Sequence, residues 1–96
     1  MESSKIQIDG NKNKPNSAEV EDWLVASIAQ LLDINPEEID VSTPFDSYGM
    51  DSSAAVGLTG DLETWLKCQI DPTVVYYHPT IKALVKHLSD SGQIKE

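Results

Sequence analysis

The sequence predicts an all-α protein, a small four-helix bundle of three main helices and one short helix with a long loop between the first two. Three observations predict it. Apolar residues recur at helical spacing in three separate stretches, and no two stretches alternate as paired strands would. The 96 residues are 40% apolar with only six aromatics, enough for one modest, mostly aliphatic core. Amphipathic helices this short can bury their stripes only against each other.

Residues 1–15 are rich in Lys, Asn, Ser and Gly, with only Ile6 and Ile8 to bury. Ordering them costs more entropy than burial returns, so a flexible leader is expected. Asn16 followed by Glu19 resembles a capping box, and Val20, Leu24, Ile28, Leu31 and Leu32 follow at helical spacing, which predicts helix one over 17–32. From Asp33 to Asp51, Pro36, Pro44 and Gly49 break any long element. This loop is expected to pack through Ile34, Ile39, Val41, Phe45 and Met50, with a helical turn at Pro36 to Ile39.

Helix two is expected over 52–66, with Ala55, Leu58, Leu62 and Leu66 as its stripe and Trp65 beside it. Pro72 to Tyr77 reads as a single turn that offers Val74, Val75 and one or both tyrosines inward. His78-Pro79-Thr80 opens the last helix, where Ile81, Leu84, Val85 and Leu88 form one apolar face closed by Ser91-Gly92. The ordered domain is therefore 16–90, and 91–96 a C-terminal tail. Trp23 and Trp65 read as partly buried packing, and His78 and His87 as surface residues.

The formal net charge is −9, Arg is absent, and residues 16–96 hold four lysines against fourteen acidic residues. Such a field repels nucleic-acid phosphates and anionic lipid and speeds encounter with basic-faced proteins. No nucleic-acid or membrane partner is expected, and the chain should be a monomer. Glu19, Glu21 and Asp22 complement the dipole of helix one, which accounts for them without a special role. No apolar run approaches a membrane span, and the start MESSKIQIDG lacks the apolar core of a signal peptide, so a cytoplasmic location is expected. Cys68 stands alone and cannot gather a metal site with His78 and His87, so no metal is expected. A domain this small leaves little room for a catalytic cleft, and no paired acid and base or phosphate loop can be assembled. Carriage or binding is favoured over catalysis.

The informative stretch is Tyr48-Gly49-Met50-Asp51-Ser52-Ser53, where a long loop becomes a helix. Unpaired N–H groups and the helix dipole favour a phosphate there, so a phosphodiester on Ser52 would be stabilised where it sits. Asp51 and Ser52 read equally well, taken alone, as an ordinary helix cap. Ser52 lacks the G-x-S-x-G context of a nucleophile and is better read as modified than as catalytic.

With its flanks, Y-G-M-D-S followed by A-A-V-G-L-T-G-D-L-E and then D-P-T-V-V-Y-Y-H-P-T-I-K-A-L, the chain resembles the acyl carrier domains of modular polyketide synthases over about residues 17–89. The resemblance implies that Ser52 accepts 4′-phosphopantetheine from coenzyme A through a phosphopantetheinyl transferase, with Asp51 as its motif neighbour. It implies that helix two is the recognition surface, through Ser53, Val56, Gly57, Gly60, Asp61 and Glu63. Tyr76 to Ile81 is similar to the family's segment before the last helix, with His78 where an acidic residue is usual. Ser53 departs from the usual apolar residue, which bears on how well a given transferase grips the helix. Gly57 and Gly60 depart from polar residues at a cost of about 1 kcal/mol each relative to Ala.

The D-S-S and L-T-G-D-L-E variant resembles carriers served by fatty acyl-AMP ligases in bacterial, notably cyanobacterial, pathways. A ligase would then load a fatty acid onto the arm as a thioester, and a polyketide synthase or acyl-modifying enzyme would act on it. The carrier itself is not an enzyme. Three readings remain beside this one: a peptidyl carrier, disfavoured because G-M-D-S replaces G-G-x-S; an unmodified helical interaction module; and modification at Ser53. Met1, the polar leader and the early C-terminus favour a free-standing protein, although a piece cut from a larger synthase would look much the same and the sequence does not separate the two.

Overall fold

The structure is a computed structural model that describes residues 14–95. Residues 1–13, most of the expected leader with Ile6 and Ile8, and Glu96 lie outside the described residues. Four helices follow in order: α1 (Ser17–Leu32), α2 (Ser52–Leu66), α3 (Val74–Tyr77) and α4 (Ile81–Asp90). Among the described residues there is no strand, only an isolated bridge between Asn16 and Lys95. The core is one cluster drawn from every helix and from the long loop.

α1 opens on the expected capping box: Glu19 N–H donates to Asn16 Oδ1 at 2.8 Å, and Asn16 N–H donates to Glu19 Oε1 at 3.0 Å. It closes at Asp33, in the left-handed region at φ 57°. Val20, Leu24, Ile28 and Ala29 are buried, but Leu31, expected in the stripe, is 54% exposed. Each four-residue step advances about 40° around a helix of 3.6 residues per turn. The stripe therefore winds, and by the last turn Ala29 and Leu32 face the core while Leu31 has rotated out.

The loop from Asp33 to Asp51 carries two 3₁₀ turns, the expected one at Pro36–Glu38 and a second at Phe45–Tyr48 that periodicity did not reveal. Phe45 and Met50 are buried, and Ile39 and Val41 pack against the core. The Tyr48 hydroxyl accepts from Asp40 N–H at 2.7 Å and donates to Asp40 O at 2.6 Å. Phe45 N–H donates to Pro79 O at 2.8 Å and Lys82 N–H to Val41 O at 2.9 Å, so the loop is sewn to the α3–α4 junction.

α2 buries Ala55, Leu58, Thr59 and Leu62. The Trp65 ring stacks on Trp23 with centroids 5.0 Å apart and planes 5° from parallel, a contact worth about 0.5–1.5 kcal/mol beyond area burial. In α3, Val74 and Val75 are buried, whereas Tyr76 and Tyr77 are 59% and 77% exposed. The expectation that a tyrosine turns inward is thus overturned. Four residues spaced about 100° apart point nearly all round a single turn, and only two can face one core.

Before α3, the Asp71 carboxylate accepts from Thr73 N–H at 2.9 Å and from Thr73 Oγ1–H at 2.8 Å. These bonds, the backbone one first, hold the carboxyl below its usual range. Their support is present above the ordinary carboxyl pKa and is lost as pH falls through the lowered folded value. Thr73→Val should move the Asp71 titration, followed by NMR, part of the way back up; an unmoved midpoint would remove the hydroxyl from this account.

α4 starts at Thr80, whose Oγ1 accepts from Ala83 N–H at 3.0 Å, and buries Ile81, Leu84, Val85 and Leu88 against α1. His78 and His87, expected as separate surface residues, are half-buried and stacked with centroids 4.4 Å apart. The segment expected as a tail is fastened through its described residues. Ile94 is buried, Lys95 N–H donates to Pro15 O at 3.0 Å, and Gln93 Nε2 donates to Gln69 O at 2.8 Å.

Candidate functional site

The turn at Phe45–Tyr48 ends on Gly49, at φ 83°, a conformation in which a Cβ is strained. Met50 then plunges into the core at 4% exposure and fixes where the next residues emerge. Asp51 is the N-cap of α2: its backbone is extended, and its Oδ1 accepts from Ala54 N–H at 2.9 Å. Asp51 thereby settles which residue caps, and Ser52 is free of that task.

Ser52 is the first residue of α2 and is exposed, and no hydrogen bond engages its hydroxyl among the described residues. The Asp51 cap takes one of the first-turn N–H groups and leaves those of Ser52 and Ser53 without helical partners. An anion attached at Ser52 Oγ would meet these donors and the positive end of the helix dipole. Beside the hydroxyl lies a cavity of about 280 Å³, walled by Phe45, Met50, Ala55, Val75, Tyr76 and Pro79 together with the carboxylates Asp46 and Asp51. The donor set fits a phosphodiester, and the mixed wall leaves room for the polar, amide-bearing arm beside it.

The residues expected on the recognition face divide. Ser53, Val56, Gly57, Gly60 and Asp61 are exposed on α2, and a Cβ added at Gly57 or Gly60 would meet nothing within 4 Å. Glu63 leaves that face: it is half-buried, and its Oε2 accepts from Ile70 N–H at 3.0 Å, tying the end of α2 to the loop that follows.

A feature missed from sequence borders that exposed face of α2 at Gly57 and Asp61. A groove of about 470 Å³ runs between α1 and α2, lined by Ser27, Gln30, Leu31, Ala54, Gly57, Leu58 and Asp61. The signal for it was the i, i+4 drift of the α1 stripe, which carries Leu31 out of the core. Between residues 16 and 66 the chain has eleven carboxylates and no Lys or Arg, so both walls belong to an acidic surface.

Residues 22–88 match the family described as a phosphopantetheine attachment site. The acyl carrier protein TtuC of Teredinibacter turnerae is 38% identical over 71 residues, covering 74% of this chain and 82% of TtuC. Polyketide synthases of Bacillus subtilis match at 37% and 33% identity, but the aligned stretch spans only 1% and 2% of their lengths. Among solved structures, the acyl carrier protein Asl1650 of Anabaena sp. PCC 7120, which has a variant phosphopantetheinylation-site sequence, superposes with a TM-score of 0.74. It is 37% identical and covers 79% of this chain and 86% of its own. A free-standing peptidyl carrier protein of Acinetobacter baumannii superposes with a TM-score of 0.73 at 34% identity, covering 79% and 95%. No helix among the described residues is long and apolar enough to cross a membrane.

Proposed function

The chain belongs to the phosphopantetheine-binding carrier family, and from that premise we propose that Ser52 is its attachment serine and that a fatty or polyketide acyl group rides on the arm. Carriers of this family hold 4′-phosphopantetheine covalently, present acyl groups as thioesters and are not themselves catalysts. The observation that carries the assignment to Ser52 is the division of labour at the start of α2, where Asp51 caps the helix and the Ser52 hydroxyl stays exposed and unengaged.

Each residue has a part in this reading. Gly49 and Met50 hold the turn so that Ser52 faces outward, the free N–H groups of Ser52 and Ser53 receive the phosphate oxygens, and the cavity wall of Met50, Ala55, Val75 and Tyr76 shelters the root of the arm. The attached group supplies a terminal thiol on which the acyl thioester forms. The acidic surface draws a phosphopantetheinyl transferase, then a loading enzyme such as a fatty acyl-AMP ligase, then a polyketide synthase or acyl-modifying enzyme. The chain works as a monomer in the cytoplasm.

The similarity to a peptidyl carrier at 34% identity favours one rival, loading with an amino acid. Incubating the holo-protein with ATP and either a fatty acyl-AMP ligase plus dodecanoate or an amino-acid-adenylating enzyme separates the two. We expect an acyl mass gain with the ligase and none with the amino acid. The reverse pattern would make this a peptidyl carrier.

A further inference from the structure

We propose that Tyr48 is a positioning residue for the modification of Ser52: its hydroxyl closes residues 40–48 into one unit, which presents the serine to the transferase in a single arrangement. The proposal rests on the carrier reading for its reaction. One hydroxyl engages both backbone groups of Asp40, eight residues earlier in the chain. Asp40 N–H donates to Tyr48 Oη at 2.7 Å, and Tyr48 Oη–H donates to Asp40 O at 2.6 Å. Asp40 is also the hub of its own turn, since its O accepts from Thr43 N–H at 3.1 Å and its Oδ1 from Ser42 N–H at 2.8 Å. At the other end of the unit, Ser47 N–H donates to Pro44 O and Gly49 N–H to Asp46 O, each at 3.0 Å. Two turns of a long loop are thus joined through one side chain.

The unit ends at Tyr48, and only Gly49, Met50 and Asp51 separate it from Ser52. Those residues leave little slack: Gly49 turns the chain at φ 83°, Met50 is buried, and Asp51 caps α2. The same unit supplies Phe45 and Asp46 to the wall of the cavity beside Ser52. Ring and hydroxyl have separate effects. The Tyr48 ring is half-buried and packs against the core, where a Phe ring would pack as well. Asp40 is exposed, so water can satisfy its N–H and C=O once the hydroxyl is gone. Water does not hold Asp40 and Tyr48 together, however. Losing the hydroxyl therefore enlarges the set of loop arrangements without emptying the core. A transferase that accepts one arrangement then meets a smaller competent fraction of molecules, and its apparent affinity falls by that fraction. A bound carrier is held in the competent arrangement, so turnover at saturation is unaffected.

The test compares wild type, Tyr48→Phe and Asn16→Ala as apo-proteins, each with coenzyme A, magnesium and a broad-specificity transferase. Asn16→Ala removes the cap of α1, outside the unit, and is the control for lost stability. Both variants should lower the urea midpoint modestly. Only Tyr48→Phe should raise the KM for the carrier, about fivefold, with kcat unchanged. Amide hydrogen exchange gives a second readout. Gly49, Ala54 and Ala55, whose N–H groups donate to Asp46 O, Asp51 Oδ1 and Asp51 O, should exchange faster in Tyr48→Phe alone. An unchanged KM in Tyr48→Phe, a loss in kcat alone, or an equal rise of KM in Asn16→Ala overturns the proposal and leaves Tyr48 as packing. If no transferase modifies the wild type, the carrier reading fails and the exchange pattern alone decides the role of Tyr48. Faster exchange confined to Tyr48→Phe then upholds an ordering of the junction by the hydroxyl, and equal exchange overturns it.

Discussion

Ser52→Ala will take up no 4′-phosphopantetheine, while Ser53→Ala will gain one equivalent as the wild type does. The difference follows from geometry rather than from residue type, since both are exposed serines in the first turn of the same helix. Asp51 takes the capping position, so Ser52 is the residue at which chain direction changes from loop to helix, and its hydroxyl projects beside the 280 Å³ cavity. Ser53 stands about 100° further round the helix, on the exposed face with Gly57 and Gly60. Incubation of each purified protein with coenzyme A, magnesium and a broad-specificity transferase, followed by intact mass, reads the result directly. Uptake by Ser52→Ala but not by Ser53→Ala would move the attachment one residue along. Absence of uptake in every protein, across several transferases, would sink the carrier function for this chain.

Leu62→Ala should cost about 2–5 kcal/mol of stability, the range for truncating a leucine in a packed core. Leu62 is fully buried in α2, within the core cluster of the described residues. A domain of this size has little more stability than that to lose, so partial unfolding at room temperature is the expected appearance. Leu31→Ala should change stability by no more than about 0.5 kcal/mol, as for other surface sites, because its side chain is 54% exposed. Urea midpoints at constant slope measure both. Equal losses would mean that Leu31 is part of the core after all.

Much of this protein is decided by interactions a few residues long, and those were legible in the sequence. The Asn16–Glu19 capping box starts α1, Asp51 and Thr80 start α2 and α4, and the stripes of Val20, Leu24 and Ile28, of Ala55, Leu58 and Leu62, and of Ile81, Leu84, Val85 and Leu88 are buried as their spacing required. The motif around Ser52 is legible for the same reason, since a cap and the N–H groups it leaves over belong to one turn of chain. Packing decided the rest. Whether Leu31 or Ala29 meets the core depends on how the neighbouring helices cover the last turn of α1, and whether Tyr76 turns in depends on how much core one turn of α3 can reach. Glu63, expected on the recognition face, instead accepts from Ile70 N–H, and Trp23 finds Trp65 across two helices. Periodicity states that a helix has an apolar side; which residues at the edge of that side are covered is set by groups distant in sequence, and only the folded chain brings those together.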